Sequence, residues 1–306
     1  MSFSSDVKSE LMLRSFVNSP CCQTAQNYGL LLFGRSFSSS GLSILTENEE
    51  VAGAYADAVK FFSGQLPEAE ISDVGNVKIN VEDKEIIELT LTKLGHNVPG
   101  ARRRINFANL ADSCCFAAFI RGAFLACGTV TDPEKEYHLE FSSSSKALCT
   151  DLMKVFEEFE IEPKISERSG VYIVYIKKSS EIEDILSVMG ATESSMMLMG
   201  AKMMKDVRNN VNRKVNFENA NMARSVQAAA KQFDAVELIR EKCGFDSLPA
   251  DLREIARLRY ENREASSGEI RAMLSETLTV SGISHRFRRL QSIADELREK
   301  SEKRNG

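Results

Sequence analysis

The chain has 306 residues, 43% of them hydrophobic and 27% charged, and a formal net charge of −5. That is the composition of a globular protein with room for two or three domains, and the acidic balance excludes one coated uniformly by nucleic acid. One basic module remains open, because from Lys205 onward 20 Lys and Arg face 16 Asp and Glu, a balance of +4, while the preceding part has 19 against 28, or −9.

The opening MSFSSDVKSEL is polar and acidic, so no signal peptide is expected. No run of about 18 apolar residues is present, so no membrane span is expected either, and the predicted location is the cytoplasm. The 7 cysteines occur as Cys21-Cys22, Cys114-Cys115 and singly at 127, 149 and 243. That is no disulfide framework, and no C-x-x-C or Cys/His group has zinc spacing. They read as small reduced packing residues, and neither metal nor cofactor is expected.

In chain order, Ser4-Ser5-Asp6 caps a first helix running through Phe16. Cys21–Arg35 follows. It recurs 93 residues later as Ser113–Gly128, which is apolar on nearly every side: Cys21 falls on Cys114, Cys22 on Cys115, Ala25 on Ala118, Gly29 on Gly122 and Leu32 on Leu125. Five such matches indicate an internal duplication. Ala118, Gly122 and Ala126 form a row of small residues that lets another helix approach closely, which compensates the cost of a mid-helix Gly. The expected picture is two half-domains joined across these helices about a pseudo-twofold axis.

Between the two helices a polar turn is followed by a strand over Leu42–Asn48 and a helix over Glu49–Ser63. A hairpin comes next, from Glu70–Val74 and Val77–Val81 around Gly75-Asn76, then a helix over Asp83–Leu94 stopped by Gly95. The second half repeats the order. Gly128–Asp132 and Tyr137–Phe141 form a hairpin, Ser145–Phe159 a helix, Lys164–Arg168 and Val171–Lys177 a hairpin around Ser169-Gly170, and Glu181–Met189 a helix stopped by Gly190. Each half thus reads as α-β-β-α-β-β-α.

Gly95–Ile105 reads as a linker with Arg102–Arg104 on a solvated basic turn. Over Ser194–Asn221 the Met-rich MMLMGAKMM reads as a packed helix face, and Asn209, Asn210, Asn212, Asn216, Asn219 and Asn221 as capping residues. Asn221–Lys242 is a helix. After Leu248-Pro249 come three more. The first carries Leu252, Ile255, Ala256 and Leu258. The second starts at the capping box Ser266-x-x-Glu269. The third, capped by Ser281, has the apolar stripe Ile283, Phe287, Leu290, Ala294 and Leu297. Its projection points Ser281, Ser284, His285 and Arg288 outward, sets Arg289 at the flank and Arg286 near the core edge. Such a basic outer face on the last helix has the form of a helix-turn-helix that enters the DNA major groove, where Arg pairs with guanine and Ser or His meets bases or phosphates.

The residues quoted so far, with FIRGAFLACGTVTDP, NVNRKVNFENAN, LPADLREIARLR and VSGISHRFRRL, span the chain in an order that resembles the WhiA regulators of Gram-positive bacteria. The resemblance implies an α+β protein: a duplicated αββαββα N-terminal part, LAGLIDADG-like after the homing endonucleases, and an all-α helix-turn-helix C-terminal domain. It also implies a role in transcription linked to sporulation, or to cell division and chromosome segregation. The expected domains are 1–98 and 106–192 for the two halves, 193–221 for a Met/Asn-rich joint and 222–306 for the DNA-binding part. In active homing endonucleases the motif helix ends in a metal-binding acid; here those positions are Gly34 and Cys127, with Leu32 and Leu125 in place of the earlier acid. Asp112 and Asp132 flank the motif at the wrong positions to replace them.

The leading reading is therefore a non-catalytic, nucleoid-associated regulator of double-stranded DNA, with no catalytic residue. Ser284, His285 and Arg288 are expected to read bases, Arg286 and Arg289 to touch phosphates, and Ser281 to open the same surface. A sigma factor or co-regulator is the class of protein partner. A metal-dependent endonuclease and a protein-interaction scaffold stand as alternatives; a patch of Lys164, Arg168, Lys177 and Lys178 leaves DNA contact by the duplicated part open.

Overall fold

The computed structural model describes residues 2–13, 19–71, 76–96 and 103–305. The chain forms two compact units, Met1–Lys205 and Asp206–Gly306. In the first, α1 (Phe3–Leu13) precedes the elements of one half: α2 (Pro20–Leu32), β1 (Ser36–Ser38), β2 (Gly41–Thr46), α3 (Glu49–Ser63), β3 (Ala69–Ile71), β4 (Val77–Val81) and α4 (Lys84–Lys93). The same order returns as α5 (Ser113–Cys127), β5 (Gly128–Val130), β6 (Leu139–Ser143), α6 (Lys146–Glu157), β7 (Lys164–Arg168), β8 (Val171–Ile176) and α7 (Ser179–Met189).

Each half builds one antiparallel four-stranded sheet, ordered β1-β2-β4-β3 and β5-β6-β8-β7. In the central pairs Leu42 faces Val81 and Ile44 faces Ile79, while Leu139 faces Ile176 and Phe141 faces Val174. All eight are buried, so alternation along each strand puts one face of the sheet on the core and fixes the register. The polar turn expected after α2 is in fact β1, paired to β2 with Phe37 opposite Leu42. Phe37 is its one buried residue, too short a pattern to show a period. Of the turn expected at Gly75-Asn76, residues 72–75 lie outside the described residues, as do 14–18 at the predicted end of α1 and 97–102 of the linker.

The two motif helices approach as closely as the small-residue row predicts. A Cβ built on Gly122 would stand 2.0 Å from the Gln26 carbonyl oxygen and 2.8 Å from the Leu30 nitrogen. A Cβ on Gly29 would stand 2.3 Å from the Phe119 carbonyl oxygen and 3.0 Å from the Ala123 nitrogen. The glycines are each other's equivalents in the repeat, so the backbones cross where both sequences leave out the side chain. At the N-terminal ends of α2 and α5, Cys21, Cys22, Cys114 and Cys115 come together rather than serving as separate packing residues.

Arg121 is buried on α5, and its guanidinium donates from Nη1 to the Met189 carbonyl at 3.0 Å and from Nη2 to the Leu11 carbonyl. It thereby ties α1 and α7 to the central pair, with its pKa pulled down to about 10 by burial. Buried Glu10 of α1 accepts from the backbone nitrogens of Glu193 and Ser194, at 2.8 and 2.9 Å, at the start of α8 (Thr192–Cys243). A carboxylate there satisfies orphan donors and meets the positive end of the helix dipole.

That helix is 52 residues long and takes up the whole predicted joint. The expected capping asparagines stand in its middle, exposed, and Met196, Met197, Met199, Met203 and Met204 are exposed while Leu198 is buried. After Gly200 no Gly or Pro occurs through Cys243, so nothing in the backbone chemistry stops the helix, and the asparagines point to water instead of capping.

In the second unit the end of α8 packs on α9 (Ala250–Glu261), α10 (Ser267–Met273) and α11 (Val280–Asn305). Val236, Ile239, Leu252, Ile255, Ile270, Phe287 and Leu290 form its core. Leu258, expected in that core, is only half-buried, and Arg259 is fully buried instead.

Candidate nucleic-acid interface

Four contacts order α10, the turn after it and α11, the last two of them made by α11 itself. The capping box at the start of α10 is formed as predicted, with the Ser266 nitrogen donating to Glu269 at 2.6 Å and the Glu269 nitrogen to Ser266 Oγ at 3.2 Å. These bonds hold the Glu269 carboxyl below its ordinary pKa. In the turn after α10, Ser275 donates from its backbone nitrogen and its hydroxyl to Glu254 of α9, both at 2.8 Å. Arg286 of α11 pairs with Glu276 in that turn, and Arg289 with Asp251 of α9. The helix begins two residues earlier than predicted. Thr279, not Ser281, is its cap: Thr279 Oγ1 accepts from the Gly282 nitrogen at 3.1 Å, and Ser281 lies in the first turn.

Ile283, Phe287, Leu290 and Ala294 are buried, as the stripe requires, and Leu297 packs half-buried beside them. The opposite face presents Ser281, Ser284, His285 and Arg288 to solvent, with Arg286 and Arg289 half-buried at its edges. Ser284 Oγ donates back to the Val280 carbonyl at 2.9 Å, and Arg288 Nε reaches the Ser284 carbonyl at a long 3.4 Å. From Thr277 to Ala294 the sequence has no acid. The surface therefore offers hydroxyl, imidazole and guanidinium groups to an anionic groove, and the two edge arginines are oriented by carboxylates of their own unit.

At the C-terminal ends of α2 and α5 lies an open groove of about 400 Å³ that includes Gly34, Cys127 and Arg103. No carboxylate lines it among the described residues. Cys127 is a neutral thiol, its pKa pushed up to about 12 by burial. Gly34 leaves no space for an acid, since a Cβ there would stand 2.7 Å from the Ser43 carbonyl oxygen and 3.0 Å from the Tyr55 ring. Sequence reasoning put Arg103 on a solvated turn; instead its guanidinium donates to the carbonyls of Leu32 and Gly34, the latter at 2.5 Å. It thus covers the negative end of the α2 dipole and brings a fixed cation to the position where the motif acids of an endonuclease gather a metal. Arg104 is likewise engaged, with Asp151 at 2.9 and 2.6 Å. Lys164, Arg168, Lys177 and Lys178 are exposed on β7 and after β8, with Lys178 paired to Glu181 at 3.1 Å.

Hydrolysis of a phosphodiester by divalent ions needs hard, anionic oxygen ligands, and none of the described residues lining this groove is a carboxylate. The purified protein is expected to leave supercoiled and linear DNA uncut with magnesium or manganese. Asp at both Gly34 and Cys127 is expected not to restore cutting, because the first substitution has no room. Chelator-sensitive cleavage by either protein contradicts this.

Known proteins place the two units. The WhiA LAGLIDADG-like domain model matches residues 116–208, and the WhiA C-terminal HTH domain model matches residues 211–294. A probable cell division protein WhiA of Caldicellulosiruptor saccharolyticus is 36% identical over 97% of this chain and 96% of its own length. A protein of the same description from Ruminiclostridium cellulolyticum is 34% identical over 99% of this chain and 100% of its own. The crystal structure of full-length DUF199/WhiA from Thermatoga maritima covers 97% of this chain and 99% of its own, with a TM-score of 0.59 and 25% identity. Both units, in this order and over the full matched length, make the chain a member of the WhiA family.

Proposed function

We propose that this chain is a non-catalytic, sequence-reading DNA-binding regulator, acting in the control of cell division and chromosome segregation or of sporulation. The observation that carries this is the acid-free solvent face of α11 up to Ala294, on a helix tied to α9 and to the preceding turn. Rigid presentation matters, since a base-reading side chain must reach a fixed edge in the groove. In this reading Ser284, His285 and Arg288 meet bases, Ser281 lies beside them, and Arg286 and Arg289 meet phosphates once they exchange or share their carboxylates. The acidic N-terminal unit serves a protein partner of the transcription machinery, a sigma factor or co-regulator, and the protein works at the nucleoid.

The test is a salt series of binding isotherms on DNA fragments enriched from the genome by the full chain. Arg288→Ala is expected to cost roughly 1–3 kcal/mol on an enriched site and to relax preference at about one base pair. Asp251→Asn frees Arg289, and is expected to tighten all sequences alike and to steepen log affinity against log salt by about one unit. Folded variants with unchanged affinity, preference and slope would remove α11 as the reader.

A further inference from the structure

The Cys-Cys pairs that sequence spacing leaves unexplained occupy equivalent places in the two repeats, in the first turns of α2 and α5. Helices related by a pseudo-twofold axis and packed at their middles bring equivalent ends together. The Sγ atoms of Cys21, Cys22, Cys114 and Cys115 accordingly lie within 4.8 Å of one another. All four are free thiols. Cys22 and Cys115 are buried, Cys21 is half-buried, and Cys114 is exposed, so the group opens to solvent on one side.

We propose that these four cysteines form a mononuclear zinc site on the symmetry axis, joining the two halves at the end of the helix pair opposite the lost endonuclease centre. A tetrahedral ion about 2.3 Å from each sulfur needs sulfurs about 3.8 Å apart, so the side chains close by about an ångström at most. A cluster of several irons holds its thiolates further apart than one ion does. Soft sulfur donors without a carboxylate or imidazole select zinc over magnesium, calcium or manganese.

Four thiolates around a divalent ion carry a net charge of −2, and both helices direct their positive ends at it. Ser19, the cap of α2, places its Oγ 3.1 Å from Cys21 Sγ, as an outer partner that orients a ligand. Each thiol that becomes a ligand releases its proton as the zinc–sulfur bond forms, and no electron is transferred.

The test uses the full chain, reduced and freed of metal with a chelator, then titrated with cobalt(II). The expected result is one cobalt per chain, with sulfur-to-cobalt charge-transfer and tetrahedral d–d absorption, and displacement by one equivalent of zinc. Cys114→Ser, at the exposed ligand, is expected to weaken binding at least tenfold, and Cys127→Ser and Cys243→Ser to leave it unchanged. Should the ligand variant not fold, the wild-type protein decides alone: zinc is expected to raise its melting temperature and to protect four thiols from alkylation. Folded wild-type protein without charge-transfer absorption overturns the proposal. So does full binding in Cys114→Ser/Cys115→Ser, or a disulfide between the pairs in protein kept free of oxidant.

Discussion

Gly122→Leu is expected to cost the N-terminal unit at least about 3 kcal/mol, the upper end of what extra methylenes inserted into a packed core usually cost. The reason is what stands in the way. The Gln26 carbonyl oxygen and the Leu30 nitrogen are backbone atoms of α2, 2.0 and 2.8 Å from the position of a Cβ, and cannot swing aside as a side chain can. Even Gly122→Ala must push the helices apart, and with them the two half-domain cores that meet there. Against a domain stability of about 5–15 kcal/mol, such a change removes roughly a fifth to three-fifths of the margin. Urea unfolding followed by fluorescence from a probe on α5 measures it. An unchanged midpoint for Gly122→Leu would show that the helices do not cross at this residue.

Arg259→Leu is expected to destabilise the C-terminal unit by on the order of 3 kcal/mol or more, since each bond to a charged group is worth roughly 1.5–3. Arg259 is fully buried, with 0% of the residue accessible. Nη2 donates to Gln232 Oε1 at 2.9 Å, and Nη1 reaches the carbonyls of Asn262 at 3.2 Å and Ala265 at 2.5 Å. The guanidinium also lies over the Phe287 ring, 5.2 Å from its centre, and its burial draws its pKa down. Leucine keeps some of the volume over Phe287 but leaves those acceptors buried and unanswered. Loss of hydrogen-exchange protection in α9, α10 and α11, with α2 and α5 unaffected, is the expected signature. Protection equal to the wild type in all three would assign the anchoring role elsewhere.

The duplicated order of helices and hairpins was legible because each element repeats a period and the repeat doubles every signal. The outward face of α11 was legible for the same reason, since one apolar stripe fixes where every other side chain points. Less local features were hidden. Arg259 stands seven residues after Leu252 and four after Ile255, on the core face, but a charged residue there scores as exposed unless its acceptors are known. Arg103 reads as part of a basic turn until the helix end that it caps is placed beside it. The thiol cluster has no short spacing at all; its signal is a Cys-Cys pair at the same place in both repeats, which becomes a cluster only when the axis is drawn. The exposed asparagines of α8 show the reverse case, where residues with strong capping preferences are outvoted by a long stretch lacking any helix breaker.

Carrying both halves on one polypeptide also changes what substitutions can do. In a dimer of identical subunits every mutation near the axis appears twice, so a change that suits one side must also suit the other. Here the two copies of a position vary independently. The lost acid is a glycine in one half and a cysteine in the other, and Arg103, which covers the carbonyl end of α2, falls 93 residues before Met196 and so has no charged counterpart. The groove at that end is accordingly polarised across the axis, and a molecule that settles there meets two different walls. Fusion thus turns a symmetric scaffold into one able to distinguish left from right.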